Sequence, residues 1–247
     1  MALRILITND DGWQAPGILA LAEALSDRAE VAVVAPDGNR SASSSSLTVS
    51  RPIPVSHGRP GFHSVHGTPA DSVHIALTAL LPWRPDLVVS GINEGQNLGE
   101  DTVYSGTVAA ATEGFLYNIP AIAFSQVERG WQHLDSAAKT AADIVFKVYG
   151  RLPAPWLLNV NIPNRPYAEL AVHQVTRLGR RNPSPGVVPD KTGDGQEAYR
   201  IGPYGTIMDA AEGTDFHAIE RGWVSVTPLQ LDWTHYAGME TLAEILR

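Results

Sequence analysis

Asp10 and Asp11 are adjacent carboxylates set directly after an apolar, β-favouring run, in the stretch ILITNDDG. Neighbouring acids repel each other unless a cation or a proton lies between them. A tight turn accounts for Asp11-Gly12, and Asn9 suits a capping position, but a turn does not call for a second acid. A hard divalent cation does. Mg2+ and Mn2+ take oxygen ligands, typically one or two carboxylates with neutral oxygens, water and substrate phosphate. Asp10 and Asp11 are also the candidates to orient or deprotonate an attacking water, so both are expected to be catalytic.

Two further segments could complete such a centre. PDGNRSASSSS, residues 36–46, follows another apolar run and offers hydroxyls; Ser41, nearest the strand end, is the expected neutral ligand. The remaining serines read as a polar loop. The glycine-rich segment 91–99 carries Asn93 and Asn97. Glycine and asparagine suit turns, but glycine also lets backbone N–H groups approach an anion closely. The segment YSGTVAAA then opens a helix with Ser105 or Thr107 as its cap, and a helix start offers free N–H groups and a positive dipole end. Acids on one loop and an anion cradle on another suit a cation that holds a phosphorylated ligand.

These loops need a scaffold that brings them together. Apolar runs at 4–8, 31–36, 85–91 and 119–125 are nearly continuous, as in strands buried on both faces of a parallel sheet. Helical patterns alternate with them. Ile18, Leu19, Ala22 and Leu25 mark a helix over 16–27, and Val73, Ala76, Leu77 and Leu80 one over 69–81. Val108, Ala111, Thr112 and Phe115 mark a third; Ala141, Ile144, Val145 and Val148 mark a fourth that stops at Gly150. Thr68, Pro69 and Asp71 form a capping box at the start of the second. Alternating strands and helices predict an α/β fold, a Rossmann-like three-layer domain with a mainly parallel sheet. In such a sheet ligands bind outside the carboxyl ends of the strands, where the strand order switches. Asp10, Asp11, Ser41 and Asn93 would converge there.

Beyond residue 150 the pattern loosens. Residues 1–150 read as the Rossmann-like core. Residues 151–247 read as its last strands plus an extension within the same structural unit. LLNVNIP and GWVSVTPLQ are strands, METLAEILR is a short helix, and 180–206, rich in Pro, Gly and charge, is either a disordered loop or a projecting hairpin arm.

Composition narrows the function. The 247 residues are 44% hydrophobic and 18% charged, with 18 Lys+Arg against 26 Asp+Glu and a net charge of -8. That balance opposes binding to a nucleic-acid polymer, which needs a basic footprint. There is no cysteine, which removes disulfides, zinc–thiolate sites and thiol catalysis. No run approaches a membrane span and the N-terminal stretch carries no apolar signal core, so a cytoplasmic location is expected. The triphosphate-binding P-loop, the dinucleotide glycine fingerprint and the nucleophile-elbow motif are all missing. His66 reads as a structural histidine. Arg40 is the candidate phosphate clamp, with surface pairing as its alternative role.

The segments ILITNDDGWQAPGI, VVAPDGNRSASSSSLT, GTPADSVHIAL, DLVVSGINEGQNLGEDTVYSGTVAAATEG and IPAIAFS, in that order, resemble the SurE survival-protein family of 5′-nucleotidases. LLNVNIP and RGWVSVTPL extend the resemblance. It implies a divalent-metal-dependent phosphatase of nucleoside 5′-monophosphates, with 3′-monophosphates and short polyphosphate as further substrates. The implied metal ligands are Asp10, Asp11, Ser41 and Asn93, holding one Mg2+, Mn2+ or similar ion per subunit. The implied phosphate- and substrate-binding positions are Asn97, Ser105, Gly106 and Thr107, with Asn9 added beside the acid pair. The resemblance also implies a C-terminal extension that reaches onto a second copy, giving a homodimer or homotetramer, which favours the hairpin arm over disorder at 180–206. A glycine is expected after the Arg-Ser of the serine loop; here it is Ala42. Rival readings are a broad acid phosphatase or exopolyphosphatase, a non-catalytic nucleotide-binding module, and a Rossmann-type oxidoreductase, the last opposed by the missing glycine fingerprint.

Overall fold

A computed structural model describes residues 2–202 and 204–247. β1 (Leu3–Thr8) leads through the acid loop into α1 (Pro16–Ser26) and returns as β2 (Ala29–Pro36). The serine loop follows, then the short hairpin β3 (Val55–His57) and β4 (Phe62–Val65). α2 (Pro69–Ile75) has the expected capping box: Thr68 Oγ1 accepts from the Asp71 N–H, and Asp71 accepts from the Thr68 N–H. The predicted helix over 69–81 changes character part-way, widening into a π-helical turn at Ala76–Leu80.

The second run comprises β5 (Leu87–Glu94), α3 (Asp101–Tyr104), α4 (Gly106–Leu116), β6 (Ala121–Gln126), α5 (Leu134–Val148) and β7 (Leu157–Ile162). Then come β8 (His173–Val175), β9 (Arg180–Arg181), β10 (Val187–Lys191), β11 (Glu197–Ile201) and β12 (Ile207–Asp209). α6 (Asp215–Glu220), β13 (Val224–Leu229) and α7 (Tyr236–Ile245) end the chain.

The nine-stranded sheet runs β3-β4-β2-β1-β5-β6-β7-β13-β8. β4, β2, β1, β5, β6 and β7 are mutually parallel; β3 and β13 run antiparallel to their neighbours β4 and β7. The chain builds outward from β1 in one direction and then from β5 in the other. β1 and β5 therefore flank the switch point, and the loops after them open into one crevice.

Strand alternation divides the core in two. Ile5, Ile7, Val33 and Val89 face α1 and α5; Leu6, Val34, Val88 and Ala121 face α2 and α4. Both faces of the sheet are covered, which is why its strands are apolar at consecutive positions. On α1, Leu21 rather than Leu19 completes the buried stripe. Residues 187–201 form the antiparallel hairpin β10–β11, so the 180–206 segment is a structured arm, and β12 pairs with β9 at its base. Among the described residues no helix is long and apolar enough to cross a membrane.

Candidate active site

The chain must turn sharply at the carboxyl end of β1. Asn9 makes that turn: its amide donates to Gly12 O at 2.9 Å, and its Oδ1 accepts the Gly12 N–H at 3.1 Å. Gly12 has φ 110°, a conformation that side chains disfavour. Asn9 is buried and its polar atoms are engaged with Gly12, so this expected substrate contact supports the loop from behind.

The turn leaves Asp10 buried under the start of α4. Its Oδ1 accepts the Thr107 hydroxyl at 2.6 Å. Gly106 permits this approach, since a Cβ there would lie 2.8 Å from Asp10 Cβ and 2.9 Å from its Oδ2. Burial raises the Asp10 pKa, outweighing the hydroxyl and backbone N–H of Thr107, which favour the charged form. The Asp11 pKa is pushed up to about 6 by burial first and by repulsion from Asp10 second. Asp11 accepts from Asn39 Nδ2 at 3.3 Å and from the Glu94 N–H at 3.4 Å. Burial thus opposes the charged form of both acids in the bare protein, a cost that a bound cation would offset.

The neutral oxygens are oriented to match. Asn93 donates its amide to Gly95 O at 2.7 Å, which commits the nitrogen and leaves Oδ1 available as an acceptor or ligand. Ser41 donates its hydroxyl to Asn39 Oδ1 at 2.8 Å, leaving its lone pairs available. Asn39 thus holds both a carboxylate and the serine, and sequence reading passed over it. Two carboxylates, an amide oxygen and a hydroxyl are the donor set of a hard divalent cation. Among the described residues no group of three or more His, Cys, Asp or Glu side chains is placed to hold a metal ion, so a cation here would rest on two carboxylates and neutral oxygens.

A cavity of about 310 Å³ lies against this cluster, lined by Asp10, Ser41, Asn93, Asn97 and Ser105. Five predicted residues therefore line one cavity; Asp11 is not in its lining and joins the site through Asn39 and the Glu94 N–H. Ser105 caps α4, accepting the Val108 N–H at 3.1 Å. Thr107 was the alternative cap; it turns inward to Asp10 instead, and Gly106 packs on the same carboxylate. Both support Asp10 behind the cavity wall. Asn97 is clamped by three neighbours: its N–H donates to Asn161 Oδ1, its amide to Ser125 Oγ, and its carbonyl accepts from Asn159 and Asn161.

Arg40 and His66 lie outside this lining. Asp37 accepts Arg40 Nη2 at 2.9 Å and pairs with His66 Nε2 at 2.8 Å, the structural roles expected as alternatives. The walls also hold residues that sequence reading missed: Glu94, Asp101, Tyr104, Arg129 and Tyr204. Arg129 follows the end of β6, so its place on the carboxyl edge was legible. Tyr204 arrives from the arm, about a hundred residues from the loops it joins, with no local signal.

The family model for survival protein SurE matches residues 5–185. The crystal structure of SurE protein from Aquifex aeolicus is 44% identical, superposes with a TM-score of 0.87, and aligns over 99% of this chain and 100% of that one. Sequence, fold and the loops at the β1–β5 switch point agree: the chain belongs to the SurE family, a family of metal-dependent phosphatases.

Proposed function

We propose that this protein is a divalent-metal-dependent phosphatase that hydrolyses nucleoside 5′-monophosphates to nucleoside and phosphate. The observation that carries this reading is the shared cavity. Asp10, Ser41 and Asn93 line the wall that also holds Ser105 at the start of α4. Asp10, Asp11, Ser41 and Asn93 would hold one Mg2+, Mn2+ or similar ion. When bound, such an ion supplies Lewis acidity toward a phosphoryl oxygen and an acidified water.

The protein's own groups do the rest. The positive end of α4 and the polar wall at Asn97 and Ser105 favour the phosphoryl oxygens. Asp10 or Asp11 would orient or deprotonate the attacking water. Thr107 fixes the Asp10 carboxylate, and Asn39 fixes Ser41 against Asp11.

Two exposed phenol rings, Tyr104 and Tyr204, line the same cavity. Aromatic rings suit a substrate with a flat base, since base–aromatic stacking contributes roughly 1–3 kcal/mol. This favours nucleoside monophosphates over polyphosphate, the closest alternative. A second copy of this chain is the expected macromolecular partner. Trp233 is 84% exposed and Ile201 81%, and α7 buries none of its residues. Exposed apolar surface of this kind marks an interaction site.

The test is phosphate release from a panel of nucleoside 5′- and 3′-monophosphates, ribose 5-phosphate and short polyphosphate, with Mn2+ or Mg2+ and with chelator. Turnover of the 5′-monophosphates that chelator abolishes is the expected result. Full activity in chelator, or in Asp10→Asn and Asp11→Asn variants, would sink the metal assignment.

A further inference from the structure

We infer that Arg129 is a phosphate-binding residue of this site, clamping phosphoryl oxygens from the side of the cavity formed by the loop after β6. This rests on the phosphatase reading above. Arg129 lines the same cavity as Asp10, Asn93 and Ser105. Among the described residues its guanidinium makes none of the ion pairs that occupy other arginines: Arg40 has Asp37, Arg177 has Asp209, and Arg181 has Asp101.

The loop that carries it is held in place. Glu128 has φ 68°, Gly130 φ 112° and Trp131 φ 54°, so the backbone on both sides of Arg129 is in the left-handed region. Such conformations cost energy and persist only where surrounding contacts impose them. Here those contacts come from the end of β5 and the loop after it, which run beside β6. The Gly130 N–H donates to Glu94 Oε1 at 3.0 Å, and the Glu128 N–H donates to Gln96 Oε1 at 3.4 Å. Trp131 packs on the core beside α1, fixing the loop's far end. The two bonds bracket Arg129. The Glu94 carboxylate accepts a backbone N–H, and the positive charge of Arg129 acts on Asp11, whose charged form it favours.

Charge balance gives the arginine its task. The carboxylates of Asp10 and Asp11 together carry two negative charges and so cancel a divalent ion. A phosphate monoester arrives with up to two more. The cavity wall also carries Glu94 and Asp101, of which only Asp101 is paired with an arginine. Arg129 is the cation left on that wall to meet the incoming phosphate. Its planar fork suits two phosphoryl oxygens in a way that a lysine does not.

The experiment uses the full-length protein with Arg129→Gln and Arg129→Lys. Calorimetry measures inorganic phosphate binding at fixed Mn2+ and Mn2+ binding alone; phosphate release gives kcat/KM for a nucleoside monophosphate. In Arg129→Gln, phosphate affinity and kcat/KM are expected to fall together by about 10- to 100-fold. Mn2+ binding is expected to stay within about twofold of wild type, and Arg129→Lys to recover part of the loss. Phosphate affinity within about twofold of wild type in Arg129→Gln overturns the assignment, even if turnover is lost. If Arg129→Gln unfolds, Arg129→Met carries the same comparison, with phosphate affinity within about twofold of wild type again overturning the assignment. A wild-type protein without turnover would remove the phosphatase reading, while the phosphate titration would still decide the role of Arg129.

Discussion

The Thr107 hydroxyl donates to Asp10 Oδ1 at 2.6 Å, joining the first turn of α4 to the carboxyl end of β1 across 97 residues of sequence. The bond holds a buried acid in one orientation and supplies a donor to its charged form. Removing it leaves Asp10 harder to ionise and less firmly oriented. Thr107→Val is expected to weaken Mn2+ binding and lower kcat/KM by about 10- to 100-fold, with Thr107→Ser retaining most of both. Calorimetric titration of Mn2+ into each variant checks this; unchanged affinity in Thr107→Val would show that the bond does not orient a ligand.

The raised pKa values of the acid pair give the metal effect a pH dependence. Asp11, at about 6, binds its proton more tightly folded than unfolded. In the metal-free protein this contribution to stability is fully present below the unfolded carboxylate range and is lost as pH rises through about 6. Above that pH the charged pair opposes folding until a cation offsets it. The rise in Tm on adding Mn2+ is therefore expected to be large near pH 7.5 and to shrink below about 6. Thermal unfolding with and without Mn2+ across pH 5–8 measures it, and a pH-independent rise would contradict the assignment of Asp11 to the metal.

The serine loop carries a local strain that a single substitution relieves. Ala42 sits at φ 59°, in the left-handed region that glycine occupies freely. The steric cost there is roughly 1–2 kcal/mol, while glycine adds about 0.4–1 kcal/mol of unfolded-chain entropy. Ala42→Gly is expected to stabilise the protein by up to about 1 kcal/mol. Urea unfolding decides the sign; a loss of stability would mean that the loop tolerates Ala42 without strain.

The exposed apolar side chains of the C-terminal segment predict self-association. Trp233 is 84% exposed and Ile245 75%. Light scattering on the wild type is expected to give at least twice the chain mass of 26.5 kDa. Trp233→Ser combined with Ile245→Glu is expected to lower that mass. A wild type that runs at the single-chain mass would remove a second copy as the partner of this surface.

Much of this site was legible along the chain because parallel α/β folds gather strand ends at one edge. Asp10 and Ser41 follow buried apolar strands and Asn93 lies near the end of one, and near-continuous apolar runs mark those strands. The capping box at Thr68 and Asp71 was equally plain, since it depends on local spacing. What the sequence left open depended on partners distant in the chain. Ser105 and Thr107 both suit a helix cap, and only packing against Asp10 turns Thr107 inward. The apolar face expected of α1 runs through Leu19, whereas Leu21, three residues after Ile18, is the one the sheet buries. Arg40 and Arg129 are alike as cations beside strand ends; Asp37 engages the first, while Glu94 and Gln96 accept backbone N–H groups on either side of the second. Residue types and their order determined the fold class and the acid–hydroxyl–amide set. Only the tertiary structure decided which donors face which oxygens, because buried hydrogen bonds and ion pairs form between residues that sequence spacing does not relate.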